Sequence, residues 1–454
     1  MKLAFTTFTA LTLGAFCLIQ SPATLAAVSP EEAAKLKNEL TPFGAEKAGN
    51  KEGTIPAWTG GYTQAIPGYV EGGRVPDPFA DDKPLFTITN QNKDAYADKL
   101  SEASKVLLSK YPDSYKIIVY PTRRSASAPQ AIYDNTFRNA ARATMKGDKP
   151  QGAYGGIPFP IPKTGAEALW NHSLAWLGHA NRLTNTNNMT TADGRNVMLG
   201  KEVIYEARPF YDEGGSAETW NGDTSTVNFR FIGPPSRVGE TLVVRANADA
   251  DKSRAWVYFA GQRRTRQLPN ACCDTPNPAT SGNIGFDETY LFYGSIARYD
   301  WTLVGKKELF IPYNQNKRLQ APTDADLVKG KHLNPEWSRW ELHRVWVVEG
   351  NLRAGQRHQS PKVRLYLDED SWHAILSERY DAQGQLWKAG EAIPGVSPTG
   401  FANFLYGFNS YDLIAGTLFW VGTSDGKDQR TVLDRKRVPD SMFTPEAMAS
   451  ESVR

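Results

Sequence analysis

The segment from residue 254 to residue 314 constrains the fold of this chain most strongly. It begins with RAWVYFAGQRRTRQ, continues through a Gly-, Pro- and Asn-rich interval, and ends with RYDWTLVGKKELFIPYN. Both outer runs are rich in aromatic and β-branched residues, and polar residues interrupt them at close intervals. This pattern predicts long antiparallel strands that have one apolar face and one wet face.

The N-terminus predicts the compartment. Lys2 precedes an apolar run over residues 3–19, and a tail of small residues follows at 23–27. This order predicts a cleavable signal peptide of residues 1–27 and a mature chain in a Gram-negative type periplasm. The run is shorter than the roughly 20 apolar residues of a membrane anchor. Phe16 stands where a lipoprotein signal needs a small residue, so lipidation at Cys17 is disfavoured.

The charge balance bears on partners. Without Lys2 the chain keeps 51 basic residues against 49 acidic ones. Nucleic-acid binding needs a concentrated basic face, so we expect no nucleic acid as a partner.

Helical patterns come early in the chain and strand patterns come late. We divide the mature chain into an N-terminal helix with a Gly/Pro-rich arm at residues 28–95 and a main domain at 96–454. Helices are predicted from Ser29 to about Thr41 and over 95–111, 129–145 and 166–177. Strands are predicted over 198–210, 226–232, 241–246, 254–266, 299–304, 308–313, 339–352, 362–367, 373–380, 385–388 and 411–421. Short turns join many of them, so the predicted fold is β-dominated α+β. It is a large curved antiparallel sheet, an open half-barrel, with helices on its concave face.

Such a sheet is hard to fill with its own side chains, and we therefore expect a hydrophobic cavity. The alternative is that the aromatic residues fill a dense core. Likewise, the apolar loop at 156–162 fits either a gate or a packed connector. The residues predicted to line the cavity are Phe159, Trp170, Trp256, Tyr258, Trp301 and Trp346.

Two cysteines remain after signal cleavage, and they are neighbours. A disulfide between Cys272 and Cys273 would need a turn, which the sequence DTPNP at 274–278 can supply. Two free thiols in a loop fit the same residues, so both states stay open.

No catalytic or metal-binding motif stands out, and we predict neither an enzyme nor a bound metal or cofactor. The acidic turn at 368–370 lacks the alternating oxygen ligands of a calcium loop, so a solvated hairpin turn is the favoured interpretation. Glu341, His343 and Arg344 fit an acid/base cluster or, more simply, the wet face of a strand. An unrecognised hydrolase is the third functional hypothesis.

Several long motifs resemble one known family. They include LTPFGAEKAGNKEGTIPAWTGG, GGIPFPIPKTGAEALWNH, DTPNPATSG and RWELHRVWVVEGNLRAGQRH. From about Leu40 to about Tyr411 the chain is similar to the periplasmic domain of unknown function 1329. The resemblance implies an incomplete β-barrel like that of the lipoprotein carriers of the LolA/LolB type, related to outer-membrane lipoprotein-sorting proteins. It also implies, as partners, a resistance-nodulation-division transporter and an outer-membrane β-barrel protein.

The leading functional hypothesis is a periplasmic carrier or chaperone for a hydrophobic, lipid-like molecule. It would work between an inner-membrane transporter and the outer membrane. The alternative is an interaction subunit of an envelope transport complex that binds no lipid.

Overall fold

The computed structural model describes residues 27–269, 272–423 and 438–451. The predicted signal peptide, apart from Ala27, lies outside these residues, as does Cys17. Helices in the described ranges are all too short or too polar to span a bilayer.

Five short α-helices occur in the described part of the chain. They are α1 (Pro30–Ala34), α2 (Glu102–Lys110), α3 (Gln130–Arg142), α4 (Gly165–Ser173) and α5 (Pro445–Glu451). The predicted helix over 95–111 is divided, because Leu100 is extended and the Ser101 side chain caps a new helix by accepting from the Ser104 N–H. At α4, Thr164 and Glu167 form a capping box that fixes the start of the helix.

The strands account for most of the regular structure. In chain order they are β1 (Phe86–Ile88), β2 (Ile117–Val119), β3 (Thr144–Lys146), β4 (Lys149–Gln151), β5 (Ala180–Thr190), β6 (Asn196–Ala207), β7 (Asp223–Gly233), β8 (Thr241–Asn247), β9 (Arg254–Phe259), β10 (Arg264–Gln267), β11 (Tyr299–Pro312), β12 (Val328–Lys329), β13 (His332–Leu333), β14 (Trp340–Leu352), β15 (Lys362–Asp368), β16 (Ala374–Tyr380), β17 (Leu386–Val396), β18 (Asn403–Asp412) and β19 (Thr417–Gly422).

Fifteen of these strands form one open, mostly antiparallel sheet. Its order is β1-β2-β14-β15-β16-β17-β18-β19-β5-β6-β7-β8-β9-β10, and β11 pairs with β14 beside this path. The predicted fold class, a large and incompletely closed antiparallel sheet with few helices, is confirmed. Because β1 belongs to this sheet, the end of the predicted arm is built into it. The boundary between 95 and 96 stays a prediction.

Several strand predictions need correction. A single 3-10 turn at Ala260–Gln262 divides the predicted strand 254–266, where Arg263 adopts a left-handed φ of 49°. The two strands predicted over 299–304 and 308–313 are instead one continuous strand, β11, with a bulge between Leu303 and Gly305. The predicted strand 411–421 is a hairpin of β18 and β19. β5 was not predicted at all.

The sheet has two covered faces, which we call front and back. Alternation along the strands places the register partners Val348, Leu365 and Ser377 on the front, and their neighbours on the back. On the front, α4 packs so closely that a Cβ on Gly165 would lie 2.7 Å from the β11 backbone. On the back, the Ala103 N–H of α2 donates to Glu378 Oε1 at 3.0 Å. Helices therefore cover both faces, and their placement on a concave face stays a prediction.

Candidate functional site

Two adjoining cavities lie between the front face and residues 286–294, which we call the cover segment. The polar chamber has a volume of about 60 Å³ and reaches His172, Arg208 and His373. The apolar chamber has a volume of about 20 Å³. Glu206, Tyr290 and Tyr293 line both chambers. The two spaces therefore form one site that changes from polar to apolar along its length.

The floor of the apolar chamber follows from strand alternation. Every second residue of β6, β7 and β8 points to the front, and most of those that face the apolar chamber are apolar. The chamber is lined by Ile204, Val227, Phe229, Leu242 and Val244 from the sheet and by Phe286 from the cover segment.

The cover segment holds backbone strain. Tyr290 and Leu291 have φ values of 49° and 72°, in the left-handed region that large side chains avoid. Each such residue costs about 1–3 kcal/mol and persists only where surrounding contacts hold it. The closed position of the cover segment therefore depends on its contacts with the sheet.

Those contacts are mainly polar. Arg379 of β16 donates to the Asp287 carboxylate at 3.2 Å and to the Asp287 carbonyl at 2.9 Å. Lys388 of β17 pairs with Glu288 at 2.7 Å. The Tyr290 ring packs on Phe408 with ring centres 5.7 Å apart. Ion pairs thus anchor the first part of the segment, and a ring contact holds the strained part.

Acid should weaken this anchor. Burial alone would raise the pKa of Asp287, but the charge of Arg379 and the hydrogen bond with His358 outweigh burial and lower the pKa to about 2. A carboxylate with a lowered pKa stabilises the fold above its unfolded value of 3.8, and this contribution is lost as the pH falls toward 2. We expect a loss of about 2 kcal/mol across this window. Urea unfolding at several pH values should show a steeper acid loss in the native chain than in Asp287→Asn. Equal slopes would contradict this assignment.

The polar chamber holds a buried ion pair and two neutral histidines. Arg208 pairs with Glu206 at 2.9 Å, and both side chains are buried. Burial lowers the pKa of His172 to about 4 and that of His373 to about 3. His172 Nδ1 accepts from the Ala374 N–H at 3.0 Å, so its Nε2 donates to the Phe292 carbonyl.

Two polar atoms of this chamber have no hydrogen-bond partner among the described residues. They are Arg208 Nη1 and His373 Nδ1, both buried. Buried polar atoms are normally satisfied, so these two imply water or a polar ligand group in the chamber. Arg208 supplies a cationic donor, which favours an acidic group.

Comparison with known proteins identifies the family. The family described as "Protein of unknown function (DUF1329)" matches residues 87–449. The chain belongs to the DUF1329 family. The resemblance seen in its motifs is thereby confirmed. A relative from Pseudomonas aeruginosa, "Uncharacterized protein PA3922", is 37% identical over 440 residues, which cover 95% of each chain.

The solved structures that resemble this DUF1329 chain share less sequence with it than the Pseudomonas relative does. A DUF1329 family protein from Desulfovibrio piger has a TM-score of 0.41 and 11% identity, covering 60% of this chain and 92% of that one. The LolA superfamily protein NE2245 from Nitrosomonas europaea has a TM-score of 0.38 and 11% identity, covering 63% and 100%. At these scores the likenesses support no inference about function.

The structure of this DUF1329 chain does not gather the six predicted lining residues into one site. Trp170 lines the polar chamber. Phe159 belongs to a buried connector whose backbone pairs with the Asn171 side chain at 2.7 and 2.8 Å. Trp256 and Tyr258 lie on the back face, where they pack with Phe443 beside α5.

The last two predicted residues also line neither chamber. Trp301 packs its ring against the Phe292 ring and against Gly350. Trp346 stacks on Trp372, with ring centres 6.2 Å apart. That these aromatic residues bind a ligand stays a prediction.

In this structure of the DUF1329 chain no disulfide joins Cys272 to Cys273. Cys273 is buried and has a left-handed φ of 64°. Its side chain shares a hydrogen bond with Cys272, which, against the opposing effect of burial, lowers the pKa of the Cys272 thiol to about 7. A disulfide between the two residues stays a prediction.

Five chamber residues were not predicted from the sequence: Glu206, Arg208, Tyr290, Tyr293 and His373. One signal was available, because KEVIYEAR places residues 202, 204, 206 and 208 on one face of a strand. That face mixes charged and apolar residues, which is unusual for a buried strand. The cover segment carries no comparable pattern.

The prediction of a solvated turn at 368–370 is wrong. Its three acidic residues are only 0–3% exposed. Glu341 and His343 of β14, predicted on a wet face, are also buried. Arg124 and Arg344 pair with the turn at 2.6 and 2.7 Å, and they come from distant parts of the sequence. The sequence around the turn therefore does not show that these arginines neutralise its charges.

Proposed function

We propose that this DUF1329 chain is a periplasmic carrier of a hydrophobic, lipid-like molecule, held between the front face of β6–β8 and the cover segment. The observation that carries the proposal is an apolar chamber roofed by a strained segment. The sheet supplies the apolar floor, and the ion pairs of Asp287 and Glu288 hold the roof closed.

The chamber sizes require the cover segment to move. One water molecule needs about 10–15 Å³ of such space, so the chambers hold only a few waters. Typical ligand pockets have roughly 300–1,000 Å³. An acyl chain therefore enters only when the cover segment lifts, and relief of the strain at Tyr290 and Leu291 favours that movement.

The polarity of the site supports an acidic amphiphile as the ligand. The acyl part would lie on Val227, Leu242 and Val244, where burial contributes about 25 cal/mol per Å² of apolar surface. The acidic head group would reach the unpartnered Nη1 of Arg208. Cargo would pass from an inner-membrane resistance-nodulation-division transporter toward an outer-membrane β-barrel partner, as the family resemblance implies.

Extraction of lipid from the purified chain tests this function. We expect mass spectrometry to recover an acidic lipid from the native chain. Val244→Phe fills the apolar chamber and should reduce the recovery by about tenfold, equivalent to roughly 1.4 kcal/mol of binding free energy. Val238→Phe, at a residue that is 53% exposed, is the matched control and should leave the recovery unchanged. Repeated recovery of no lipid, or an equal loss in both variants, would contradict the proposal.

A second candidate function rests on the same small volumes. If the chambers hold only water, the chain is an interaction subunit of an envelope complex. Strands β14–β19 are covered on both faces by the chain itself, which favours a rigid scaffold. A membrane pull-down that captures a transporter with a lipid-free chain would support this function over the carrier.

A further inference from the structure

A buried cluster outside the two chambers joins three potential metal ligands. They are His343 of β14 and Asp368 and Asp370 of the hairpin between β15 and β16. One ligand atom from each lies within 4.8 Å of the other two. The three side chains are 1%, 0% and 3% exposed. The cluster has no part in the proposed carrier function. A test of the metal site and a test of lipid binding can therefore fail independently of each other.

The charges around this cluster are unevenly paired. Asp370 pairs with Arg124 at 2.6 Å, Glu369 with Arg344 at 2.7 Å, and Glu341 with Arg339 at 2.5 Å. Each of these buried carboxylates therefore has a guanidinium partner.

Asp368 is the exception among them. Its Oδ2 accepts from neutral donors, the Tyr313 hydroxyl at 3.1 Å and the Ser371 N–H and hydroxyl at 3.0 and 2.6 Å. Its Oδ1 has no hydrogen-bond partner among the described residues. A fully buried carboxylate oxygen without a donor is costly, and a cation is the partner that such an oxygen lacks.

His343 is oriented to complete such a site. Its Nε2 lies 3.1 Å from Glu341 Oε2, so Nε2 carries the proton and donates to that carboxylate. In the neutral ring Nδ1 carries a lone pair, and this atom faces Asp368 Oδ1 at 3.6 Å. This separation is too long for a good hydrogen bond. It suits two ligands of one tetrahedral ion, which lie roughly 3.4 Å apart for bonds of about 2.0–2.2 Å.

We propose that His343 Nδ1, Asp368 Oδ1 and one oxygen of Asp370 bind a divalent transition-metal cation such as Zn²⁺. Mixed nitrogen and carboxylate ligands suit these ions. Glu341 is then the carboxylate that orients the ligating histidine, an arrangement common around metal-bound imidazoles. Arg124 and Arg344 also donate to the Glu46 and Ala48 carbonyls, so the ion would fasten the hairpin beneath the N-terminal arm.

Metal content of the full chain tests the site. The purified chain is incubated with Zn²⁺ or Co²⁺ and dialysed, and the bound metal is measured by elemental mass spectrometry. Because the site is buried, a second sample is unfolded in urea and refolded with the metal present. We expect an equimolar amount of metal in at least the refolded sample, with visible Co²⁺ absorption. X-ray absorption should detect an imidazole ligand.

Variants separate this site from adventitious binding. Asp368→Asn keeps the shape of the side chain and should lower metal affinity by more than about tenfold, and Glu341→Gln by about 10–100-fold. His332→Asn is the matched control, because His332 is equally buried but contacts Ser114 and its own strand, and it should keep the full metal content. The proposal is overturned if both samples of the native chain lack metal. It is also overturned if the bound ion has no imidazole ligand, or if folded Asp368→Asn keeps the native affinity. NMR that shows a doubly protonated His343 in the native chain after incubation with Zn²⁺ would likewise overturn it, because the proton then supplies the missing cation.

Discussion

Arg124→Met is expected to lower the free energy of unfolding by about 3–5 kcal/mol, because it leaves a buried carboxylate without its charge partner. Two nitrogens of the Arg124 guanidinium, Nε and Nη2, donate to the Asp370 carboxylate, at 2.8 and 2.6 Å. The same side chain donates to the carbonyls of Glu46, Lys47 and Pro56 in the N-terminal arm. The variant therefore loses both the charge pair and the link between arm and sheet.

Urea unfolding followed by tryptophan fluorescence measures this loss. Arg195→Met is the matched control, because Arg195 pairs with Asp193 on the surface, with side chains 78% and 57% exposed. Exposed pairs contribute about 0–1 kcal/mol, so the control should change little. A loss below about 1 kcal/mol in Arg124→Met would show that the buried network does not stabilise the fold.

Glu202→Gln is expected to stabilise the chain at alkaline pH by about 4 kcal/mol. Glu202 of β6 is 1% exposed, and its Oε2 has no hydrogen-bond partner among the described residues. Burial raises the pKa of Glu202 to about 8, and the charge of Arg237 and the hydrogen bond from Asn187 only partly offset burial. The native state therefore holds a proton that the unfolded chain releases above its ordinary pKa of 4.5.

The sign of this effect depends on pH. Below 4.5 the carboxyl is protonated in both states, and the substitution should change little. Between 4.5 and about 8 the native chain loses stability with rising pH, whereas the glutamine variant does not. Unfolding curves of the two chains should diverge across this window. A parallel pH dependence would show that Glu202 is ionised in the folded chain, and Glu71→Gln on the exposed arm controls for a general charge effect.

The strand-rich part of the fold was predictable because its strands alternate clearly. In β7, at positions 227, 229 and 231, and in β15, at positions 363, 365 and 367, apolar residues recur at every second position. The observed bounds of β8 and β14 to β16 differ little from those predicted. β5 was not predicted because its sequence, NRLTNTNNMT, contains few apolar residues. Its asparagines are buried by tertiary contacts, such as that of Asn187 with Glu202 at 2.9 Å, which local sequence does not contain.

The candidate sites were less predictable because each joins distant segments. The cover segment and β6 are far apart in sequence and come into contact only in the folded chain. The strained backbone at Tyr290 and Leu291 is held by contacts with β16 to β18. The aromatic residues Trp256 and Tyr258 alternate as expected of a half-buried strand, but alternation does not tell which face α5 covers. In the buried cluster, His343 and Asp368 meet because β14 and β15 pair, a register that single-strand patterns leave open.

Photocrosslinking with a fatty acid that carries a diazirine in its tail tests whether the apolar chamber binds an acyl chain. We expect peptide mass spectrometry to map the labelling to the apolar chamber, at Phe229, Leu242, Val244 and Phe286. An excess of unlabelled fatty acid should suppress it, and Val244→Phe should remove it. Labelling spread over exposed residues such as Val70 and Ile414, or no suppressible labelling at all, would show that the chamber does not bind the acyl chain.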